Sequence, residues 1–266
     1  MEDLIALPLG FLLDQLVGDP PGWPHPVRWI GRLVLVLEPP LRRWFPERLA
    51  GVVLLMVITG LTAGSIWAGL FLAGLVHWGL RLGVATVMIY YGLAARSLAR
   101  ETGAVLGPCA QQDWPAARLR LSYIVGRDTQ ELPPEEIYRA CIETVAENTT
   151  DGVVAPLFYA ALLGPAGMWA YKAINTLDSM VGYRQPRYLR FGWASARADD
   201  LANYVPARLA FLLLSLAAWL TRHQAAEALR VGWRDGRKHP SPNAGWAEAA
   251  MAGALGLQLG GASTYG

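Results

Sequence analysis

The sequence predicts an all-α, polytopic helical membrane protein with broken or re-entrant helices and polar segments between them. Three observations predict it. Hydrophobic residues make up 53% of the chain and charged residues only 17%, whereas soluble domains carry about a quarter charged residues. The run Leu49 to Leu80 contains no Asp, Glu, Lys or Arg over 32 residues, and roughly 20 apolar residues are enough to cross a bilayer. Strand-type alternation is nowhere sustained, and no internal repeat is seen. The net charge of +2 carries no polyanion-binding signature and argues against a nucleic-acid partner. The apolar content excludes disorder, and two cysteines, Cys109 and Cys141, exclude a disulfide scaffold and fit a reducing compartment. Residues 1–266 are expected to form a single membrane-embedded domain.

From the N-terminus, Met1-Glu2-Asp3 and the interrupting Asp14 do not read as a secretory signal. The stretch Leu13 to Arg28 is rich in Pro and Gly and reads as a rigid entry loop presenting Asp19, His25 and Arg28. Leu49 to Leu80 and Leu82 to Ala95 then read as a helical hairpin. Arg42, Arg43 and Arg48 precede it and Arg96 and Arg100 follow it, which puts both outer ends on the cytoplasmic side. Gly152 to Tyr171 is uncharged over 20 residues, but Pro156 and Gly164-Pro165-Ala166-Gly167 interrupt it. Leu209 to Thr221 is uncharged over 13. Both fit either broken helices lining a cavity or core helices of a domain on the membrane.

The polar residues crowd into segments beside these apolar ones. Pro133-Pro134 followed by Glu135 and Glu136 predicts a helix start, with negative charge at the positive end of the dipole. Along that helix Arg139, Glu143 and Glu147 share one face, and Asp151 abuts the uncharged run. Solvated Arg–Glu pairs are the ordinary meaning of such a face, but carboxylates one turn apart also suit Mg²⁺ with substrate phosphates. In Lys172 to Tyr183, Asn175 and Asp178 share a face with Lys172 one turn earlier. Such groups cost roughly 3 kcal/mol each in an apolar segment, so they are either used or joined in a register-fixing salt bridge. Lys172 stands out further because 21 of the 23 basic residues are Arg. Asp199 and Asn203 are spaced to hold a metal together. Arg237, Lys238 and His239 beside Gly236 read as a phosphate grip or, alternatively, as a basic patch facing lipid headgroups.

No GxxxxGK[ST], HExxH, paired CxxC or GxSxG motif is present. The strings Gly18-Asp19-Pro20 through Trp23-Pro24-His25-Pro26-Val27-Arg28, Ser122 to Thr129, and Glu143 through Asp151 to Pro156 closely resemble the adenosylcobinamide-phosphate synthase family of cobalamin biosynthesis. So do Lys172 to Gly182, Phe191 to Asp200 and Asp235 to Gly245. The resemblance runs in order along nearly the whole chain. It implies a multi-pass protein of the inner (cytoplasmic) membrane, with its active site facing the cytoplasm. It also implies the activity: ATP-dependent joining of (R)-1-aminopropan-2-ol or its phosphate to the propionate carboxylate of adenosylcobyric acid. The family pattern continues beyond Gly260-Gly261 with a polar stretch and a hydrophobic segment, which implies that a chain ending at Gly266 is truncated.

Amide formation from an acid and an amine requires an activated carboxyl group and a deprotonated amine. For that chemistry the expected cofactors are ATP and Mg²⁺. Glu143, Glu147, Asp151 and Asp178 are the expected metal ligands, and Arg127, Lys238, Arg237 and Asn175 are expected to bind the nucleotide. Lys172 is expected to contact the transferring phosphoryl group, and Asp200 or His239 to act as the base. Glu143, Glu147, Asp151, Asn175 and Asp178 are expected to converge. Alternatives are a non-catalytic membrane sensor of the same fold, a corrinoid transporter and a Mg²⁺-dependent lipid phosphotransferase. Self-association is left open.

Overall fold

The computed structural model describes residues 2–20, 22–183 and 185–260. Among these residues every regular element is helical. In chain order they are α1 (Glu2–Val17), α2 (Pro26–Trp44), α3 (Glu47–Val76), α4 (Trp78–Gly92), α5 (Ala95–Ala110), α6 (Trp114–Leu121) and α7 (Pro134–Thr149). A π-helical turn (Thr150–Val154) follows, and then α8 (Ala155–Val181), α9 (Trp193–Ala202), α10 (Tyr204–Leu220), α11 (Ala225–Asp235) and α12 (Ala244–Leu255). Glu47–Val76, Trp78–Ala110 and Pro134–Val181 are long and apolar enough to cross a membrane, and Trp193–Leu220, broken at Asn203, makes a fourth if counted as one. The protein is an all-α, polytopic membrane protein. Contacts gather into two compact units, residues 1–94 with 155–203 and residues 95–154 with 204–266.

In the first unit α3 and α4 pack against each other and meet at His77. Its backbone is extended and its N–H closes onto the Ala73 carbonyl, while its Nδ1 accepts from Gly79 N–H at 3.0 Å, so one residue ends one helix and caps the next. The hairpin is thus present, with its break at His77 rather than at the charge that follows. Arg81 lies inside α4 and binds Glu2 at 2.6 Å and Asp3 at 3.1 Å on α1. Leu54 and Ile58 of α3 pack with Trp169, Leu177 and Phe191 in the core. Met56, Leu61, Phe71 and Leu75 of α3 are exposed, as a face toward lipid requires.

Gly51 lets α3 approach the chain at Phe191, because a Cβ there would sit 1.8 Å from the Phe191 carbonyl oxygen. Of the two breaks expected in Gly152 to Tyr171, only one occurs. Pro156 sits in the first turn of α8, where proline is tolerated, and the break is at Gly164, with φ 70° and ψ −172°. Leu13 to Arg28, apart from Pro21, which lies outside the described residues, comprises the end of α1, a connection and the start of α2. His25 caps α2 and its Nε2 lies 3.5 Å from Asp19, in keeping with a rigid connection.

In the second unit α5, α6 and α7 surround Val105, Leu121 and Ile137 together with Cys109 and Cys141, both of them buried free thiols. The helix α7 begins at Pro134, with Glu135 and Glu136 in its first turn. Its inner stripe is Ile137, Ala140, Cys141 and Ala146, with Ile142 and Val145 only partly buried. The helices α10, α11 and α12 form a second cluster around Phe211, Trp246 and Ala250. The alanine-rich sequence of α12 brings α11 close and also carries α12 against α7.

A charged cavity in the second unit

A cavity of about 1000 Å³ opens in the second unit, at the large end of ligand pockets. Helices α7, α11 and α12, the turn after α11 and residues 256–260 form its walls. Arg127, Glu143, Glu147, Glu227, Arg234, Asp235, Lys238, His239 and Glu248 line it. Five of these, Arg127, Glu143, Glu147, Lys238 and His239, are residues that the sequence singles out from three separate segments.

Local structure fixes each of them. Glu143 and Glu147 stand one turn apart on α7. The Glu143 carboxylate is fully engaged: Oε2 takes Arg127 Nη2 at 2.5 Å, and Oε1 takes Gly260 N–H at 3.0 Å and lies 3.8 Å from Arg139 Nε. Both partners of the Arg127 pair are nearly buried, with 13% and 12% of the side chain exposed. Asp235, at the end of α11, holds Arg234 at 2.5 Å and Lys238 at 2.6 Å. These two cations, Arg234 first, hold its carboxyl well below the usual carboxylate range. In the turn, Ser241 N–H donates to His239 Nδ1 at 3.0 Å. Ser241 Oγ in turn accepts from the N–H groups of Asn243 and Ala244, both at 3.3 Å, at the start of α12. His239 Nε2 therefore faces the cavity, 3.9 Å from Glu248 Oε1.

Glu248 was not singled out in the sequence. It is the only charge on α12, its side chain is 13% exposed, and it accepts no hydrogen bond from the described residues. Burial first, and then the fields of Glu143 and Glu147, push its carboxyl up to about 7, against the opposing effect of Arg127.

The remaining expected residues lie elsewhere. Arg237 rests over the Trp246 ring, 5.8 Å from its centroid, and does not line the cavity. Asp151 is on the π-helical turn of the same unit. Lys172, Asn175 and Asp178 on α8 and Asp200 on α9 belong to the first unit. There Asn175 Nδ2 and Asn203 Nδ2 donate to the two oxygens of Asp199 at 3.2 and 3.1 Å, and Tyr171 OH donates to Asn203 at 3.0 Å. The Asp199 and Asn203 pair expected as a metal site is thus a closed hydrogen-bond network. Asp200 lies 3.5 Å from Arg197. Among the described residues no three His, Cys, Asp or Glu side chains are arranged to hold a metal ion.

A family model described as CobD/Cbib protein matches residues 7–266. The cobalamin biosynthesis protein CbiB of Salmonella typhi is 50% identical over 266 residues, covering 98% of this chain and 83% of that protein. The cobalamin biosynthesis protein CobD of Klebsiella pneumoniae subsp. pneumoniae is 51% identical with the same coverage, and that of Citrobacter koseri is 47% identical. No solved structure matches the chain.

Proposed function

The chain belongs to the CobD/CbiB protein family of cobalamin biosynthesis, and from that premise we propose that it is an ATP-dependent acid–amine ligase. It joins (R)-1-aminopropan-2-ol, or its phosphate, to the propionate carboxylate of adenosylcobyric acid, giving adenosylcobinamide or its phosphate. The observation that carries this reading is the convergence of Arg127, Glu147, Lys238 and His239 on one large cavity. Such a mixture of fixed charges suits a reaction whose substrates are a polyphosphate, a carboxylate and an ammonium.

An ammonium and a carboxylate at neutral pH form a salt, not an amide. Transfer of the terminal phosphoryl group of ATP to a propionate oxygen makes a mixed anhydride, whose carbonyl carbon the free amine then attacks. Arg127, Arg234 and Lys238 are the donors for phosphate oxygens. Each is held by a carboxylate, Arg127 by Glu143 and Arg234 and Lys238 by Asp235, so its position is set before a ligand arrives. Glu143 does not fit a metal ion, because its oxygens are spent on Arg127 and Gly260. Glu147, exposed on the same wall, fits the single carboxylate that Mg²⁺ takes when substrate phosphates complete its shell. When bound, Mg²⁺ neutralises phosphate charge during transfer. In the first unit, α8 carries Lys172, Asn175 and Asp178 at one-turn spacings, and Lys172 keeps its proposed contact with a phosphoryl group.

Full-length protein in lipid vesicles, given ATP, Mg²⁺, adenosylcobyric acid and either amine, should release one ADP for each amide formed. Arg127→Ala should lower that rate at least about a hundredfold, the scale lost with one electrostatic stabiliser. Absence of ADP-coupled amide with both amines overturns the reading.

A further inference from the structure

Glu248 is unexplained by phosphate chemistry. It stands on an apolar, alanine-rich helix, its side chain is only 13% exposed, and among the described residues no group donates a hydrogen bond to it. It faces Glu143 and Glu147 of α7, Arg127 from the loop before α7 and His239 from the turn after α11. The histidine does not complement it as a base. Because its Nδ1 accepts the Ser241 N–H, a neutral ring carries its proton on Nε2, the atom directed at Glu248. The Nε2 of His239 is thus a donor directed into the cavity, 3.9 Å from Glu248 Oε1 and beyond hydrogen-bond distance of it.

We propose that Glu248 receives the ammonium end of the amine substrate and takes its proton, freeing the amine for attack. This rests on the ligase reading and adds to it the end of the cavity at which the amine binds. Glu248 presents a nearly buried carboxylate to the cavity, and a primary ammonium carries three N–H groups that can donate to it. A carboxylate that meets the ammonium directly is placed to accept its proton. In the step, R–NH₃⁺ passes one proton to the Glu248 carboxylate. The nitrogen lone pair forms the C–N bond at the acyl phosphate, the C–O bond to phosphate breaks, and the departing phosphate carries off a second proton from nitrogen. Glu248 then returns its proton to water.

Hydroxylamine separates this role from the rest of the reaction, because it is an uncharged nucleophile at neutral pH and needs no deprotonation before attack. In vesicles with ATP, Mg²⁺ and adenosylcobyric acid, Glu248→Gln should lose at least about a hundredfold in amide formation with aminopropanol or its phosphate. Its formation of the corrinoid hydroxamate with hydroxylamine should stay at the wild-type level. If both products fall together, or neither falls, Glu248 has no role toward the amine and the inference is overturned. If Glu248→Gln fails to accumulate in the membrane, Glu248→Asp carries the same test, because it keeps the carboxylate but sets it back by one methylene. Failure of both variants to accumulate makes Glu248 structural and also overturns the inference. If the wild-type chain forms no hydroxamate, the ligase reading itself falls.

Discussion

In the first unit, Arg81 spends its guanidinium on Glu2 and Asp3, Asp199 is held by two amides, and the buried Glu38 accepts from Arg42 at 2.9 Å and Arg187 at 3.4 Å. In the second unit, no group among the described residues donates a hydrogen bond to Glu248, which lines the wall of a large cavity. The surroundings explain the contrast. Apolar helices offer a charge no water, so an open ionised group there costs several kcal/mol and is closed by a partner. A wide cavity admits water, so side chains along it need not be consumed by the fold and remain available to a ligand. In this protein, the accepting oxygens of Glu248 beside a large cavity distinguish it from the paired charges of the first unit.

Lys172 gives the strongest test of that contrast, because it is a cation of the first unit to which chemistry is assigned. Lys172→Ala should lower amide formation at least about a hundredfold while membrane accumulation stays at the wild-type level. Lys172→Arg should restore only part of the loss, since a planar fork does not replace a compact ammonium at a phosphate. Normal turnover by Lys172→Ala would leave the first unit a scaffold and make the division of labour complete. If neither variant accumulates, Lys172 is a salt-bridge partner.

A smaller effect should appear in stability against pH. Glu248 titrates near 4.5 in an unfolded chain and near 7 in the folded one. Between those values the folded chain holds a proton that the unfolded chain has lost, so its stability falls as pH rises through that window. The change is on the order of 2–3 kcal/mol. Hydrogen exchange along α11 and α12 should quicken from pH 5 to pH 7 beyond the intrinsic rate increase in the wild type, and Glu248→Gln should abolish the excess. An excess that persists in Glu248→Gln would assign it to another group.

The relation between sequence and structure differs between the two regions as well. The start of α7 was legible because Pro133, Pro134, Glu135 and Glu136 act within one turn. The hairpin was legible from its uncharged length, but its break was displaced because Arg81 looks like a boundary charge. The partners that let it lie inside α4, Glu2 and Asp3, are 79 and 78 residues away. Arg127, Glu143, Glu147, Lys238 and His239 were found because each lies in a polar segment. Glu248 was not, since one Glu among alanines looks like the exposed face of an ordinary helix. Only the packing of α12 against α7 turns it into a cavity residue.

The smallest perturbation tests topology. Single cysteines placed at Arg43 and Arg100 should react with a membrane-impermeant reagent from the cytoplasmic side only, as the flanking arginines of the hairpin require. Cys109 and Cys141 are buried and should contribute little background. Labelling from opposite sides would show that the two ends do not share a compartment.

The approach of α3 to Phe191 has a consequence for how this chain can change over generations. Every amino-acid change reachable by one base substitution in a glycine codon adds at least a methyl-sized branch. At Gly51 the first atom of any such branch would lie 1.8 Å from a carbonyl oxygen, a backbone atom that no side-chain rotation can move aside. Drift at this codon therefore has no small first step. The turn carrying Phe191 and the helix carrying Gly51 can be altered only together, whereas the lipid-facing residues a few positions along the same helix are free to exchange one apolar side chain for another.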